Sequence, residues 1–113
     1  MTLWSARLIG FGALSVLVLS GCQTSPNAAF PTAEVIAQSR AGSRPDLSTL
    51  TRGRKIYTTS CTECHVARPI SELTAGQWTH IVEIMAPRAN LTASDRAALE
   101  AYLLAARDTL PAG

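Results

Sequence analysis

The sequence contains few of the residues from which catalytic sites and disulfide frameworks are built. Its 113 residues include three cysteines and two histidines, charged residues make up 16% of the chain, and the formal net charge is +2. So small a charge implies neither a nucleic acid nor an anionic surface as a partner. Because the sequence offers no separate combination of acid, base and nucleophile, we expect neither an enzyme nor a small-molecule substrate.

An apolar run near the N-terminus, from Leu8 to Leu19, is the first pattern that indicates where the protein is directed in the cell. It follows one basic residue, Arg7, and precedes small residues that end at Cys22. Basic, apolar and small segments in this order are typical of a signal peptide, and the run is too short for a stable membrane-spanning helix. We therefore predict that residues 1–21 are a signal peptide.

The end of that segment, Leu19-Ser20-Gly21-Cys22, resembles the lipobox of bacterial lipoproteins. The resemblance implies cleavage before Cys22, a lipid on its thiol, and an anchor in the bacterial cell envelope with the rest of the chain on the periplasmic or extracytoplasmic side. Gln23, rather than aspartate, follows the cysteine, which is similar to the outer-membrane sorting pattern of Gram-negative lipoproteins. The alternative is a signal peptide that is cut elsewhere, with Cys22 incidental.

Residues 22–45 are rich in serine, proline, alanine and threonine. Such a composition is typical of a linker, and we predict a flexible tether between the lipid and a folded domain over 46–113. A flexible chain of this length spans roughly 25–30 Å. A short helix over 32–39 would weaken this interpretation without removing it.

The remaining two cysteines stand in the run Cys61-Thr62-Glu63-Cys64-His65. This C-x-x-C-H spacing indicates a site for covalent attachment of a c-type haem. Two thiols three residues apart can form thioethers with the two vinyl groups of one haem, and His65 can then bind the iron. All three cysteines are thereby used, one for the lipid and two for the haem, so that no disulfide is required.

Two other sites use the same residue types. A redox dithiol is one, but it is expected in a fold of alternating strands and helices, which this sequence does not indicate. A zinc site is the other, and it would need Cys61, Cys64, His65 and His80 together. Zinc ligation by the neighbouring Cys64 and His65 is sterically awkward, so we favour the haem.

Apolar spacing and capping residues predict three helices and no strands. The first is expected over about 47–60 after the N-cap Asp46, the second from Thr74 to a stop at Pro87, and the third from Thr92 to Asp108. A folded part of about 60 residues is at the low edge of what apolar burial alone stabilises. A covalently held haem would therefore be part of the core.

The stretch from Gly53 to His65 resembles the first helix and attachment motif of class I cytochromes c. The later Trp78, Met85 and Tyr102-Leu103 are similar to a small bacterial monohaem member of that family. The resemblance covers about 49–107. It implies an all-α fold, a small three-helix cytochrome c-like domain around one covalently bound haem c, and single-electron transfer with donor and acceptor redox proteins of the cell envelope.

The resemblance also implies roles for individual residues. Gly53 would lie where the first and last helices cross, allowing Tyr102 or Leu103 to approach its backbone. The carbonyl of Pro69 would accept a hydrogen bond from His65 Nδ1, and Trp78 would line the haem pocket. A turn proline is the alternative for Pro69, and an ordinary core residue is the alternative for Trp78.

Arginines near the haem could pair with its propionates. Arg68 and Arg88 are the candidates, and an ordinary solvated surface charge is the alternative for each.

Met85 is the candidate for the sixth iron ligand, opposite His65. It is the only methionine left after removal of the signal peptide, although a lone methionine on an apolar helix face is more often core filler. His80 and an open iron position are the alternatives. An open position would indicate a haem-based sensor or a small haem enzyme, and a third interpretation is a haem relay subunit of a larger redox complex.

Overall fold

The computed structural model describes residues 30–39 and 45–111. The predicted signal peptide, the lipid site at Cys22 and the start of the predicted tether lie outside the described residues. Within the described part, no helix combines the length and the apolar character needed to cross a membrane.

The described residues form four α-helices and two single-turn 3₁₀ helices, and no strand is present among them. The α-helices are α1 (Ala33–Gln38), α2 (Leu47–Thr58), α3 (Ala75–Arg88) and α4 (Ala93–Thr109), and the 3₁₀ helices are Ser60–Thr62 and Ile70–Glu72. The predicted all-α class is confirmed. The three predicted helices correspond to α2, α3 and α4, while α1 is the short helix over 32–39 that the sequence left open.

The three main helices begin at the predicted capping residues. The Asp46 carboxylate accepts hydrogen bonds from the Ser48 hydroxyl and, at 3.0 Å, from the Thr49 amide, and these bonds hold the pKa of Asp46 well below its usual value. Thr74 and Gln77 form the complete capping box, with amide-to-side-chain bonds of 3.3 and 2.9 Å. Thr92 caps α4 through its hydroxyl, which accepts the Asp95 amide at 3.1 Å. The sequence predicts where these helices begin because each capping side chain bonds to backbone amides only two or three residues away.

Helix α2 ends two residues earlier than predicted. Thr59 has a φ of −118°, and the chain continues as a 3₁₀ turn rather than as an α-helix to residue 60. The hydroxyls of Thr58 and Thr59 bond to the carbonyls of Arg54 and Lys55 at 2.9 and 2.6 Å. Such side chains compete with the backbone for helix carbonyls. Cys61 therefore lies inside the 3₁₀ turn.

Helix α3 continues through Pro87, contrary to the predicted stop. Asn90 ends it instead, with a φ of 53°. The amide of Asn90 bonds to the Pro87 carbonyl at 3.2 Å, and the amide of Leu91 bonds to the Ala86 carbonyl at 3.0 Å. This is the Schellman arrangement, in which asparagine can take the left-handed position. The predicted stop at Pro87 is therefore wrong, because the cap around Asn90 sets the end of the helix.

Gly53 sets the distance between α2 and α4, the most extensively packed pair of helices. A Cβ built on Gly53 would lie 2.5 Å from Cβ of Tyr102 and still closer to the carbonyl oxygen of Ala98. Only a residue without a side chain allows this approach. The predicted position of Gly53 at the helix crossing, opposite Tyr102, is confirmed.

Residues 30–39 pack on the domain, although the sequence places them in the tether. Ile36 is 1% exposed, and the hydroxyl of the fully buried Tyr102 donates to the Pro31 carbonyl at 3.0 Å. The Phe30 ring meets Tyr57 edge-on, with centroids 5.6 Å apart. Apolar burial and a buried hydrogen bond thus hold this segment, so residues 30–39 belong to the folded unit rather than to a free tether.

We expect Gly53→Ala to lower the free energy of unfolding by about 1–3 kcal/mol, because the added methyl group overpacks the crossing of α2 and α4. Urea unfolding followed by circular dichroism measures the change.

Gly76→Ala is the matched control, since a Cβ at Gly76 in α3 meets no atom within 4 Å. We expect this variant to be as stable as the wild type or slightly more so, because alanine has the higher helix propensity. Equal losses in the two variants would mean that the close approach at Gly53 does not matter.

Candidate haem-binding site

A cavity of about 730 Å³ lies between α3, α4 and the chain that joins α2 to α3. Its volume falls within the roughly 300–1,000 Å³ of small-molecule and cofactor sites. All the side chains predicted for the haem site line it, namely Cys61, Cys64, His65, Pro69, Trp78 and Met85. The structure thus brings together two groups of residues that are separate in the sequence, the C-x-x-C-H run and one face of α3.

The inner wall of the cavity is apolar. Trp78, Ile81, Val82 and Met85 line it from α3 at positions i, i+3, i+4 and i+7, the spacing of one helix face. Leu99 and Leu103 line it from α4. Trp78 is 3% exposed and Val82 2%, whereas Met85 is half-buried. Met85 therefore belongs to a largely apolar wall.

The C-x-x-C-H residues occupy the open side of the cavity. Cys64 and His65 are exposed, and Cys61 is half-buried. Burial raises the pKa of the Cys61 thiol. A raised pKa leaves less of the Cys61 thiol in the reactive thiolate form.

His65 and Pro69 are not joined by the predicted hydrogen bond. His65 Nδ1 lies 3.0 Å from the carbonyl oxygen of its neighbour Val66. The Pro69 carbonyl instead accepts the amide of Glu72 at 3.2 Å, within the 3₁₀ helix that Pro69 begins. In this structure Pro69 acts as the turn proline of the alternative interpretation, while still lining the cavity.

Two buried aromatic side chains hold the segment that follows the C-x-x-C-H run. The Tyr57 hydroxyl at the end of α2 donates to the Arg68 carbonyl, and Trp78 Nε1 donates to the Ile70 carbonyl at 2.9 Å. The two rings meet edge-on with centroids 5.8 Å apart. Burial raises the pKa of Tyr57 far above its usual value, so its hydroxyl stays a donor. Trp78 thus positions the chain as well as lining the pocket.

His80 lies apart from the site. It is exposed on α3 and does not line the cavity. Among residues 30–39 and 45–111, no three histidine, cysteine or acidic side chains are placed to hold a metal ion together. The zinc alternative needs His80 beside the C-x-x-C-H residues, an arrangement that the structure does not provide.

Four charged residues lie at the rim of the cavity, two of which, Arg68 and Arg88, the sequence offers as candidate partners of a propionate. Glu63, Arg68, Glu72 and Arg88 line the cavity beside the apolar wall. Arg68 and Glu72, four residues apart in the sequence, form an ion pair of 3.2 Å. No sequence pattern distinguishes these charges from ordinary solvated ones, since only the course of the chain places them around one cavity.

No protein-family model matches this chain, and neither a curated protein nor a solved structure shows significant similarity to it.

We expect Trp78→Phe to lower the free energy of unfolding by about 1–3 kcal/mol, because the buried Ile70 carbonyl loses its donor. Denaturant unfolding of the purified chain measures the loss.

His80→Ala is the control on the same helix. His80 is exposed, so its replacement is expected to change stability by less than about 0.5 kcal/mol. If Trp78→Phe were as stable as His80→Ala, the hydrogen bond from Trp78 would have no part in holding the segment.

Proposed function

We propose that this chain is a monohaem c-type cytochrome that transfers single electrons and is anchored to a membrane through a lipid on Cys22. The observation that carries the proposal is the shared cavity. The C-x-x-C-H residues line its open side, and Met85 lines the apolar wall formed by α3.

The donor set fits a c-type haem. Cys61 and Cys64 would form the thioethers, and His65 and Met85 would bind the iron, an imidazole with a thioether as in cytochromes c. When bound, such a haem supplies a one-electron couple, and a methionine ligand raises its reduction potential. The cavity volume and its apolar wall are suited to a large flat cofactor with little contact with water.

The chain's own residues would control the surroundings of the iron. Val82 and Leu99 are each 2% exposed and line the cavity, so they keep water from the wall beside Met85. The Tyr57 and Trp78 hydrogen bonds hold the chain from Arg68 to Ile70 against the helices. A rigid and dry surrounding favours electron transfer because little must reorganise when the charge changes.

If His65 and Met85 both bound the iron, no place would be left for a substrate or a gas. We therefore propose a carrier rather than a sensor or a small haem enzyme, which would need Met85 to leave one position open. A relay subunit of a larger complex uses the same site. Redox proteins of the cell envelope are the partners that this proposal implies.

The proposed lipid anchor keeps the haem domain close to the membrane. Phe30 is the first described residue, and it packs on Tyr57 of the domain. Eight chain steps separate Cys22 from Phe30, which reach at most roughly 26–29 Å when fully extended. Donors and acceptors would therefore have to approach the cavity near the membrane surface.

We expect Cys61→Ala and Cys64→Ala each to abolish or cripple covalent haem attachment, because each removes one thioether. Haem staining after denaturing electrophoresis and a pyridine haemochrome assay measure attachment.

Cys22→Ser is the control among the cysteines. It should keep the covalent haem and release the protein from membranes, since it removes only the lipid site. Normal haem yield in both the Cys61 and Cys64 variants would overturn the proposed function.

We expect Met85→Ala to lower the reduction potential and to remove the weak long-wavelength charge-transfer band of ferric haem with a methionine ligand. Absorption spectroscopy and a redox titration of the holoprotein measure both effects.

His80→Ala should leave the band and the potential unchanged, since His80 is outside the cavity. An unchanged spectrum in Met85→Ala would instead identify another ligand. Ready binding of carbon monoxide or cyanide by the wild type would favour the sensor or enzyme alternative.

A further inference from the structure

The charged rim of the cavity is the feature that electron transfer by itself does not explain. Two guanidinium groups, Arg68 and Arg88, line an otherwise largely apolar cavity, together with the carboxylates of Glu63 and Glu72. Their position has a physical consequence, because a charge beside a ligand that is shielded from water interacts with it more strongly than a fully solvated charge would.

Arg68 already has partners. Its guanidinium pairs with Glu72 at 3.2 Å, and its carbonyl accepts the Tyr57 hydroxyl. The first bond lies within the segment that follows the C-x-x-C-H run, and the second joins that segment to α2, so this arginine is held at the rim by the chain itself.

Arg88 differs from Arg68 in having no such partner. It is exposed in the last turn of α3, and within residues 30–39 and 45–111 no carboxylate lies in ion-pairing distance of it. Arg88 follows Met85 by three residues, which places both on the same side of the helix and on the same cavity. Its guanidinium is therefore available to a ligand in that cavity.

We propose that Arg88 binds a carboxylate of the cavity's ligand, which on the proposed function is a propionate group of the haem. A guanidinium presents a planar fork of donors that matches a carboxylate in two parallel hydrogen bonds. Arg88 would thereby fix one edge of the haem that the two thioethers leave unattached.

The competing explanation is a purely local one. A cation in the last turn of a helix is favourable beside the partial negative charge of the helix end. That role affects the stability of α3 but not the haem itself. A spectroscopic signature of the propionate therefore separates the two explanations.

The experiment compares Arg88→Gln with Arg96→Gln in the purified holoprotein. Arg96 is an exposed arginine of α4 that does not line the cavity, so its variant makes the same charge change away from the site. Resonance Raman spectra report the propionate-bending band, and redox titrations report the potential.

We expect Arg88→Gln to shift the propionate band and to lower the reduction potential more than Arg96→Gln does, because a nearby positive charge favours the ferrous haem. Arg88→Lys should restore part of the potential, since it keeps the charge without the planar fork.

Two results would overturn this inference. One is an Arg88→Gln variant that matches Arg96→Gln in both measurements, and the other is a fall in potential without a shift of the propionate band, which would show that no contact exists. A wild-type chain without covalent haem in the haemochrome assay would instead overturn the proposed function, so the two failures are distinguishable.

Discussion

The close approach of α2 and α4 at Gly53 is the constraint on which the rest of the structure depends. Because Gly53 has no side chain, Tyr102 of α4 packs directly on the backbone of α2. Tyr102 is thereby buried, and its hydroxyl reaches Pro31, which holds the segment before α2. The same pairing fixes Tyr57 at the end of α2. One missing side chain thus sets the position of the N-terminal segment and of the chain that leaves α2.

The cavity follows from that position. Tyr57 and Trp78 hold the chain at Arg68 and Ile70 by hydrogen bonds from two different helices. The C-x-x-C-H residues, which precede this chain, are then directed to the same cavity as the apolar face of α3. A small domain can form a large site in this way because hydrogen bonds from two buried side chains hold the connection between α2 and α3. No further helices are then needed to cover that connection.

The site joins an apolar interior to a charged edge. Leu99, Val82 and Trp78 form a wall with little exposure to water, while Arg68 and Arg88 stand at the rim. A ligand with an apolar ring and acidic groups on one edge has both features. The proposed haem therefore agrees with the shape and the charge of the cavity as well as with the spacing of the two cysteines.

Local patterns in the sequence determined the all-α class, the starts of the main helices and the residues of the candidate site. Asp46, Thr74 and Thr92 could be recognised because a cap bonds to amides only two or three residues away. Pro87 mispredicts the end of α3, because Asn90, which takes the left-handed conformation, ends the helix instead.

Only the tertiary structure determined which distant parts of the chain contact one another. Tyr102 and Pro31 are 71 residues apart in sequence, so no periodicity could show that residues 30–39 are packed rather than free. The same holds for Arg88, whose place at the cavity depends on how α3 lies against the loop before it. The physical reason is that caps and motifs depend on near neighbours, whereas burial and cavities depend on which surfaces the folded chain brings together.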